Sequence, residues 1–384
     1  MQISNIFQNL KLVQLSGFIF ALVISYLLTP LIQSRALKLG LFDKPSKRKI
    51  HSSPVPRLGG VSIYVSLFLT TLIFLAAYWK YNAYFIGTFT LLGIFAGGTI
   101  IFFLGLLDDI EPVPAMLKLG VQIFAATIGW FLGIRILHLS NPFYHADFYL
   151  FKLSIGDQAI NFDPLLGYFL TVLWVVGITN AINLLDGMDG LATGVCLISS
   201  VAIWAVSLDN KINQPGGALM AATLAGALLG FLRWNFNPAR IFLGDSGAYL
   251  TGFVLASMAV GCVTKKVAVL IMSPVLFLIF ALPIVDTLFA VIRRIITKRS
   301  IFEPDKGHLH HRILAIGLSQ KTVSYLLYFI SAVSGFLATY LISVRSTFRF
   351  LLLSLMIFAI SLFYACIINW KHQKLFRNIF FKPK

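Results

Sequence analysis

The chain predicts an all-α, polytopic integral membrane protein, one transmembrane helical bundle over residues 1–384. Three observations carry that prediction. Of the 384 residues 58% are hydrophobic and only 12% charged, with a mean hydropathy of +0.86; a soluble chain carries roughly twice that charged fraction. Apolar runs of about 20 residues, the thickness of a bilayer core, recur along the whole length. The basic residues gather in alternate loops between those runs, the signature of a fixed orientation.

Eleven spans follow in order: 12–33, 59–79, 85–106, 115–135, 165–183, 191–208, 217–235, 247–263, 267–291, 323–343 and 349–369. The first begins at Leu12 without a basic region before it or a small-residue cleavage site after it, so it reads as a retained span. Between the fourth and fifth lies a longer polar and aromatic loop, 138–164, where the alternation Phe148-Tyr149-Leu150-Phe151-Lys152-Leu153 predicts a short hairpin. An odd number of spans puts the termini on opposite sides. Loops 34–58, 107–118, 184–190, 233–246 and 292–322, with the basic tail 370–384, hold 22 of the 31 Lys and Arg residues. That set is therefore cytoplasmic, the N-terminus outside, the C-terminus inside, and loop 138–164 extracytoplasmic.

Charge and cysteine usage exclude several classes. A net charge of +17 spread through inter-span loops points to a lipid bilayer as partner and not to nucleic acid. Cys196, Cys262 and Cys366 all lie within apolar runs, which excludes a disulfide framework and offers no metal spacing. No P-loop, GxGxxG or Gly-x-Ser-x-Gly occurs.

The acids are informative. Ten of the 14 Asp and Glu lie in the cytoplasmic loops or just inside the membrane beside them. The positive-inside rule concerns Lys and Arg and does not require this. Acids and bases gathered on one face suit a metal-dependent site that handles anions.

The densest motif is Asn180-Ala-Ile-Asn-Leu-Leu-Asp-Gly-Met-Asp-Gly-Leu-Ala192, between the fifth and sixth spans. If helical, it places Asn183, Asp186 and Asp189 on one face, and three such oxygen donors suit a hard divalent cation; the alternative is that Gly187 and Gly190 open the helix and let a phosphate approach the backbone. A plain polar turn would need no carboxylates, which are costly at a membrane boundary. Asp108 and Asp109 end the third span, where adjacent carboxylates repel unless a cation or shared proton relieves them. Asn237-Pro-Ala-Arg-Ile-Phe-Leu-Gly-Asp-Ser-Gly247 precedes the eighth span. Ser246 suffices there as a helix cap, leaving Asp245 for a metal and Arg240 for a phosphate. Asp286, after Pro283 in the ninth span, suits either catalysis or a bond to a neighbouring helix.

Two basic segments complete the set. Loop 292–322 carries His308-Leu-His310-His311-Arg312, open to a zinc site but, with no Cys and few further His to complete four ligands, better matched to a diphosphate. In the first loop Lys49, His51 and Arg57 are candidates for a phosphate, while Lys44 and Lys47 read as a topology signal.

Taken together, the Asn180–Ala192 motif, the Asp-Asp pair, Phe242-Leu-Gly-Asp-Ser-Gly247 and His308-Leu-His-His-Arg312 occur in the order found in a known family. The chain resembles the polyprenyl-phosphate N-acetylhexosamine-1-phosphate transferases, glycosyltransferase family 4, over roughly residues 10 to 345. The resemblance implies attack by the phosphate of undecaprenyl phosphate on the β-phosphorus of a UDP-N-acetylhexosamine, with UMP leaving. Magnesium is the implied ion, with manganese as a substitute, and family members suggest a homodimer. Asn183 and Asp245 match positions associated with the metal, Asp186 and Asp189 the acids beside it, and Asp108 and Asp109 the pair assigned to the lipid phosphate or its proton. His308, His310, His311 and Arg312 match the motif near the nucleotide sugar; Lys49, His51 and Arg57 match more loosely.

The His-Leu-His-His-Arg form is that of the GlcNAc-1-phosphate branch, which starts O-antigen, common-antigen or teichoic-acid synthesis at a bacterial inner membrane. The branch that transfers phospho-MurNAc-pentapeptide usually shows three consecutive His. Other N-acetylated sugars, such as FucNAc or QuiNAc, stay open. From another class, an ion-coupled transporter would suit intramembrane acids, but transport sites lie near the midplane and these acids crowd one face.

Overall fold

The computed structural model describes residues 3–43, 54–77, 88–136, 152–155, 158–161, 163–209, 212–263, 275–298 and 307–343. The chain opens with α1 (Ile3–Lys38), whose last turn carries Arg35 and Lys38 against the negative helix end. A short antiparallel pair, β1 (Phe42–Asp43) and β2 (Val55–Pro56), leads into α2 (Gly59–Ala77), α3 (Thr88–Ile110) and α4 (Ala115–Phe131). A hairpin of β3 (Lys152–Ile155) and β4 (Gln158–Asn161) precedes α5 (Asp163–Leu185), α6 (Leu191–Leu208) and α7 (Pro215–Asn235). Then come α8 (Gly244–Met258), extended by a π-helical turn Ala259–Val263, and α9 (Ala281–Ile296), α10 (Leu309–Leu314) and α11 (Gln320–Ser343).

Six of these helices, α1, α3, α5, α6, α7 and α11, are long and apolar enough to cross a membrane. The chain is a helical, multi-pass membrane protein. The predicted spans 59–79 and 115–135 are helices with shorter apolar stretches, Gly59–Phe74 and Ala115–Phe131. The eighth predicted span corresponds to α8 and its π-helical extension. The eleventh, 349–369, and the tail 370–384 lie outside the described residues, as does most of loop 138–164. The hairpin within that loop sits a few residues later than the alternation suggested, pairing Lys152 with Asn161 and Ile155 with Gln158.

The ninth predicted span, 267–291, is not one helix where it is described. Residues 275–279 are helical, Phe280 turns out of the helix, and α9 starts at Ala281. Pro283 accounts for the break: it has no N–H to give Ile279, and its ring crowds that carbonyl. In α9 itself Leu282, Asp286, Ala290 and Arg294 are buried at four-residue spacing, so one face is turned inward.

Small residues decide which helices sit in the middle. A Cβ at Gly226 or Gly230 of α7 would lie 2.1 Å from the Phe18 carbonyl and 2.4 Å from that of Leu22. Only glycine lets the α1 and α7 backbones approach so closely, the usual device where lipid supplies no hydrophobic drive between helices. Every residue of α8 but Asp245 is buried, so α8 is an interior helix flanked by α2, α3 and α5. Most buried side chains form one large cluster around α7 and α8. A separate, smaller one joins Leu185, Met188 and Leu191 to Leu282 of α9, Leu309 and Ile313 of α10, and Val323 and Leu327 of α11. That satellite cluster ties the acidic turn after α5 to the histidine-bearing helix.

Candidate active site

The loops that flank the predicted acids meet at one end of the bundle. The α2 N–H groups of Gly59 and Gly60 donate to the carbonyls of Phe242 and Leu243, and Phe242 N–H donates to Pro56. This docks the start of α2 on the start of α8. Gly244 has φ +75°, and a Cβ there would lie 2.0 Å from the Arg57 carbonyl and 2.6 Å from the Asp109 carboxylate. Glycine is thus required at Gly244 by both backbone conformation and space.

Asp109 caps α8 from across the bundle. Its Oδ1 accepts the Asp245 N–H at 2.7 Å; its Oδ2 accepts the Ser246 N–H at 3.0 Å and the Ser246 hydroxyl at 2.6 Å. The expectation that Ser246 caps α8 is corrected: Ser246 spends its proton on Asp109, which satisfies the first N–H groups with a negative charge at the positive helix end. Asp108 also lies beside Asp245. It accepts from Val113 N–H at 2.9 Å and from Lys118 Nζ at 2.5 Å, with its own side chain 3% exposed.

The acidic motif does not continue as a helix. α5 stops at Leu185, and Asp186 to Gly190 form a turn that ends with Gly190 at φ +73°, the N-cap of α6. Asn183, Asp186 and Asp189 therefore do not share a helical face, because Gly187 and Gly190 favour a turn over another helical one. Asn183, in the last turn of α5, donates its Nδ2 to Asp245 Oδ1 at 2.5 Å. Asp189 points to the loop before α8, its Oδ2 accepting from Asn237 Nδ2 at 2.9 Å and from Ala239 N–H at 3.1 Å. No hydrogen bond to the Asp186 carboxylate is present among the described residues.

Electrostatics follow from this crowding. Burial first, then Asp245 and Asp109, push Asp186 up to about 8, with Arg57 opposing. Asp245 is also raised, by burial and by Asp108, while the Asn183 hydrogen bond works against the shift. Carboxylates so placed hold protons or a cation.

The histidine segment closes the site. Asp286 Oδ1 accepts the Leu309 N–H at 2.8 Å and its Oδ2 lies 2.9 Å from His308 Nδ1, so Asp286 caps α10 as Asp109 caps α8. A carboxylate only accepts, so His308 Nδ1 carries the proton. Of the two readings open for Asp286, the bond to a neighbouring element is the one observed. His310 is 1% exposed, and among the described residues neither of its ring nitrogens has a partner. Burial, followed by His311, lowers it to about 3, so it is neutral. Its ring abuts the acidic turn: a Cβ at Gly187 would lie 2.4 Å from Nε2. His311 lies 4.3 Å ring to ring from His310, and Arg312 Nε donates to the Gly307 carbonyl.

Asp108, Asp109, Asn183, Asp186, Asp189 and Asp245 thus converge with His308, His310, His311 and Arg312, and Arg57 is close enough to bear on Asp186. Arg240 is exposed, its guanidinium over the Trp234 ring at 5.6 Å, at the α1–α7 edge. Lys49 and His51 lie outside the described residues. Sequence reasoning gave no role to Asn237, although it opens the Asn237–Gly247 motif, and missed Lys118, Gln320 and Tyr328. Of these three only Lys118, the single charge in an apolar helix, left a signal in the sequence.

Among the described residues no three His, Cys, Asp or Glu side chains are arranged to hold a metal as they stand. The donors near one another are of the oxygen type that hard divalent cations take. Asp186 and Asp245 are oxygen donors under mutual repulsion, and rotation of the Asn183 amide presents a third oxygen in place of its NH₂.

Comparison with known proteins adds the family. The model of glycosyl transferase family 4 matches residues 91–263. A probable undecaprenyl-phosphate N-acetylglucosaminyl 1-phosphate transferase of Bacillus subtilis is 37% identical over 330 residues, 83% of each chain. The chain belongs to this family. A decaprenyl-phosphate N-acetylglucosaminephosphotransferase of Mycobacterium tuberculosis is 33% identical over 326 residues, 80% of this chain and 77% of that one. A phospho-N-acetylmuramoyl-pentapeptide-transferase of Caldanaerobacter subterraneus is 30% identical over 348 residues, 88% of this chain and 99% of that one. The family 4 match spans α3 to the end of α8, which contains the aspartate pair, the acidic turn and Asp245.

Proposed function

We propose that this family 4 enzyme transfers N-acetylglucosamine-1-phosphate from UDP-GlcNAc to undecaprenyl phosphate, releasing UMP, as the first membrane step of a cell-envelope polysaccharide. The names of its GlcNAc-transferring relatives support the sugar, and those named for undecaprenyl phosphate support the lipid. One observation carries the reaction type: acids from α3, α5 and α8 and a neutral histidine from α10 meet at one end of an apolar bundle.

Phosphoryl transfer asks for positioning and charge neutralisation more than for a strong nucleophile. Asn183 and Asp245, with Asp186 beside them, would hold magnesium, which when bound neutralises the diphosphate oxygens. The remaining work falls to the chain. Asp186, in its carboxylate form, is placed to accept a proton from the incoming lipid phosphate. Asp109 holds α8 so that Asp245 faces Asn183. Lys118, paired with Asp108, sets a positive charge beside the acids to draw in the lipid phosphate. His310 and His311, with Arg312, line the side on which the nucleotide diphosphate would lie.

The working end is cytoplasmic in this proposal, with the N-terminus outside and the protein in a bacterial inner membrane. In support, loops of the Lys- and Arg-rich set are those that meet around the acids. The test is incubation of purified protein with undecaprenyl phosphate, magnesium and radiolabelled UDP-GlcNAc. UMP and lipid-linked label should appear together and vanish with EDTA, and Asp245→Asn should abolish both in folded protein. Label transfer only from other UDP-N-acetylsugars would change the sugar; no transfer from any would overturn the reaction.

A further inference from the structure

We infer that Tyr328, on a helix that carries none of the sequence motifs, is a positioning residue for the acidic turn. The inference rests on the proposed reading of that turn as the cation site. Tyr328 lies near the start of α11, and its hydroxyl donates to the Gly190 carbonyl at 2.5 Å. Its ring fills a notch that glycines leave open at the start of α6: a Cβ at Gly194 would lie 2.1 Å from Tyr328 Cζ, and one at Gly190 3.3 Å from the hydroxyl. Gly190 is the left-handed residue that ends the turn, so the contact grips the turn where its direction is set.

A second contact from α11 reaches the same turn. Gln320 Oε1 accepts from Asn237 Nδ2 at 2.7 Å, and that same amide donates to Asp189 Oδ2. Gln320 and Tyr328 are eight residues apart, about two helical turns, and so share a face. The acidic turn is thus held at Asp189 and at Gly190 by one rigid helix. Asp186, whose carboxylate accepts no hydrogen bond among the described residues, depends on the turn's shape for its place beside Asp245.

The contact can be removed cleanly. In Tyr328→Phe the ring still fills the Gly194 notch, and the Gly190 carbonyl keeps the Gly194 N–H at 2.9 Å. No buried group is orphaned, so the fold should hold while the turn loosens. A displacement of the order of 1 Å at a reacting group is costly to rate.

The test compares wild type, Tyr328→Phe and Tyr325→Phe, an exposed neighbour that touches Phe236 and not the turn. The readouts are melting temperature in detergent, Mn²⁺ binding by electron paramagnetic resonance, and kcat and KM for UDP-GlcNAc. Tyr328→Phe should melt as wild type does, bind Mn²⁺ several-fold more weakly and lose roughly five- to twentyfold in kcat with little change in KM. Tyr325→Phe should match wild type throughout. Unchanged Mn²⁺ affinity and kcat in Tyr328→Phe would overturn the inference; so would a lower melting temperature that accounts for the loss, or a wild type that binds no Mn²⁺. Wild type that binds Mn²⁺ without turning over UDP-GlcNAc would refute the proposed reaction, and the weaker Mn²⁺ binding of Tyr328→Phe would still establish the positioning role.

Discussion

Asp109 and Ser246 are 137 residues apart in sequence, yet Asp109 Oδ2 accepts both the backbone N–H and the hydroxyl of Ser246. Together with its bond to Asp245 N–H, this makes the last turn of α3 the cap of α8. This carboxylate thus has a structural duty as the cap of α8.

Asp109→Ala should therefore lower stability as well as turnover. Lost charge-assisted bonds at a partly buried helix start are worth about 1–3 kcal/mol. Asp109→Asn, which keeps one acceptor oxygen, should melt between Ala and wild type. Thermal unfolding in detergent checks the order; equal melting temperatures for all three would refute the cap.

The crowding around Asp186 predicts a pH dependence. Its folded-state value of about 8 is above the ordinary 3.8, so the cation-free protein holds a proton there that the unfolded chain releases. Stability from this group is full below about pH 4 and is lost as pH rises towards 8. A divalent cation must displace that proton, so its affinity should rise with pH between about 6 and 8. Melting curves across that range, with EDTA and with magnesium, should diverge as pH rises. Parallel curves would contradict it.

Lys118→Met removes the cation that pairs with the buried Asp108 carboxylate. A carboxylate left without its partner costs about 1–3 kcal/mol or takes up a proton. Turnover should fall by at least tenfold, while Lys118→Arg should recover part of it. Steady-state assays on the two variants check this.

Gly187→Ala puts a methyl group 2.4 Å from His310 Nε2. The ring must move away from the acidic turn, and KM for the nucleotide sugar should rise more than kcat falls. His310→Ala in the same chain should relieve the crowding. Thermal melting should rise from the single to the double variant.

Gly226→Val should prevent α1 from packing on α7, since the added Cβ would meet the Phe18 carbonyl at 2.1 Å. Gly177→Ala in α5 meets nothing within 4 Å and should be neutral. Yield of monodisperse protein in detergent distinguishes the two.

Much was legible in the sequence because hydropathy is local and additive. Apolar runs located α1, α3, α5, α6, α7 and α11, and the motifs containing Asp108, Asn183, Asp186, Asp245 and His310 stood out as costly polar groups at membrane boundaries. Of the two readings open for Asn183, Asp186 and Asp189, the helical face fails and the opening at Gly187 and Gly190 holds, because the two glycines end α5. Hydropathy likewise ran past Pro283, because an apolar run does not register a missing N–H.

What only the tertiary structure decided concerns partners. Nothing near Asp109 indicates that it caps α8, nothing near Asp286 that it caps α10, and Tyr328 reads as one more aromatic in a span. Each depends on which helices pack together, and glycines such as Gly226, Gly194 and Gly244 settle that by letting backbones or rings approach. A hydrogen bond across more than a hundred residues is a property of that packing. The composition of the chain determined that it is a membrane bundle with a polar, acidic end; the close approach of its helices determined which acid is held, which is free, and where the site lies.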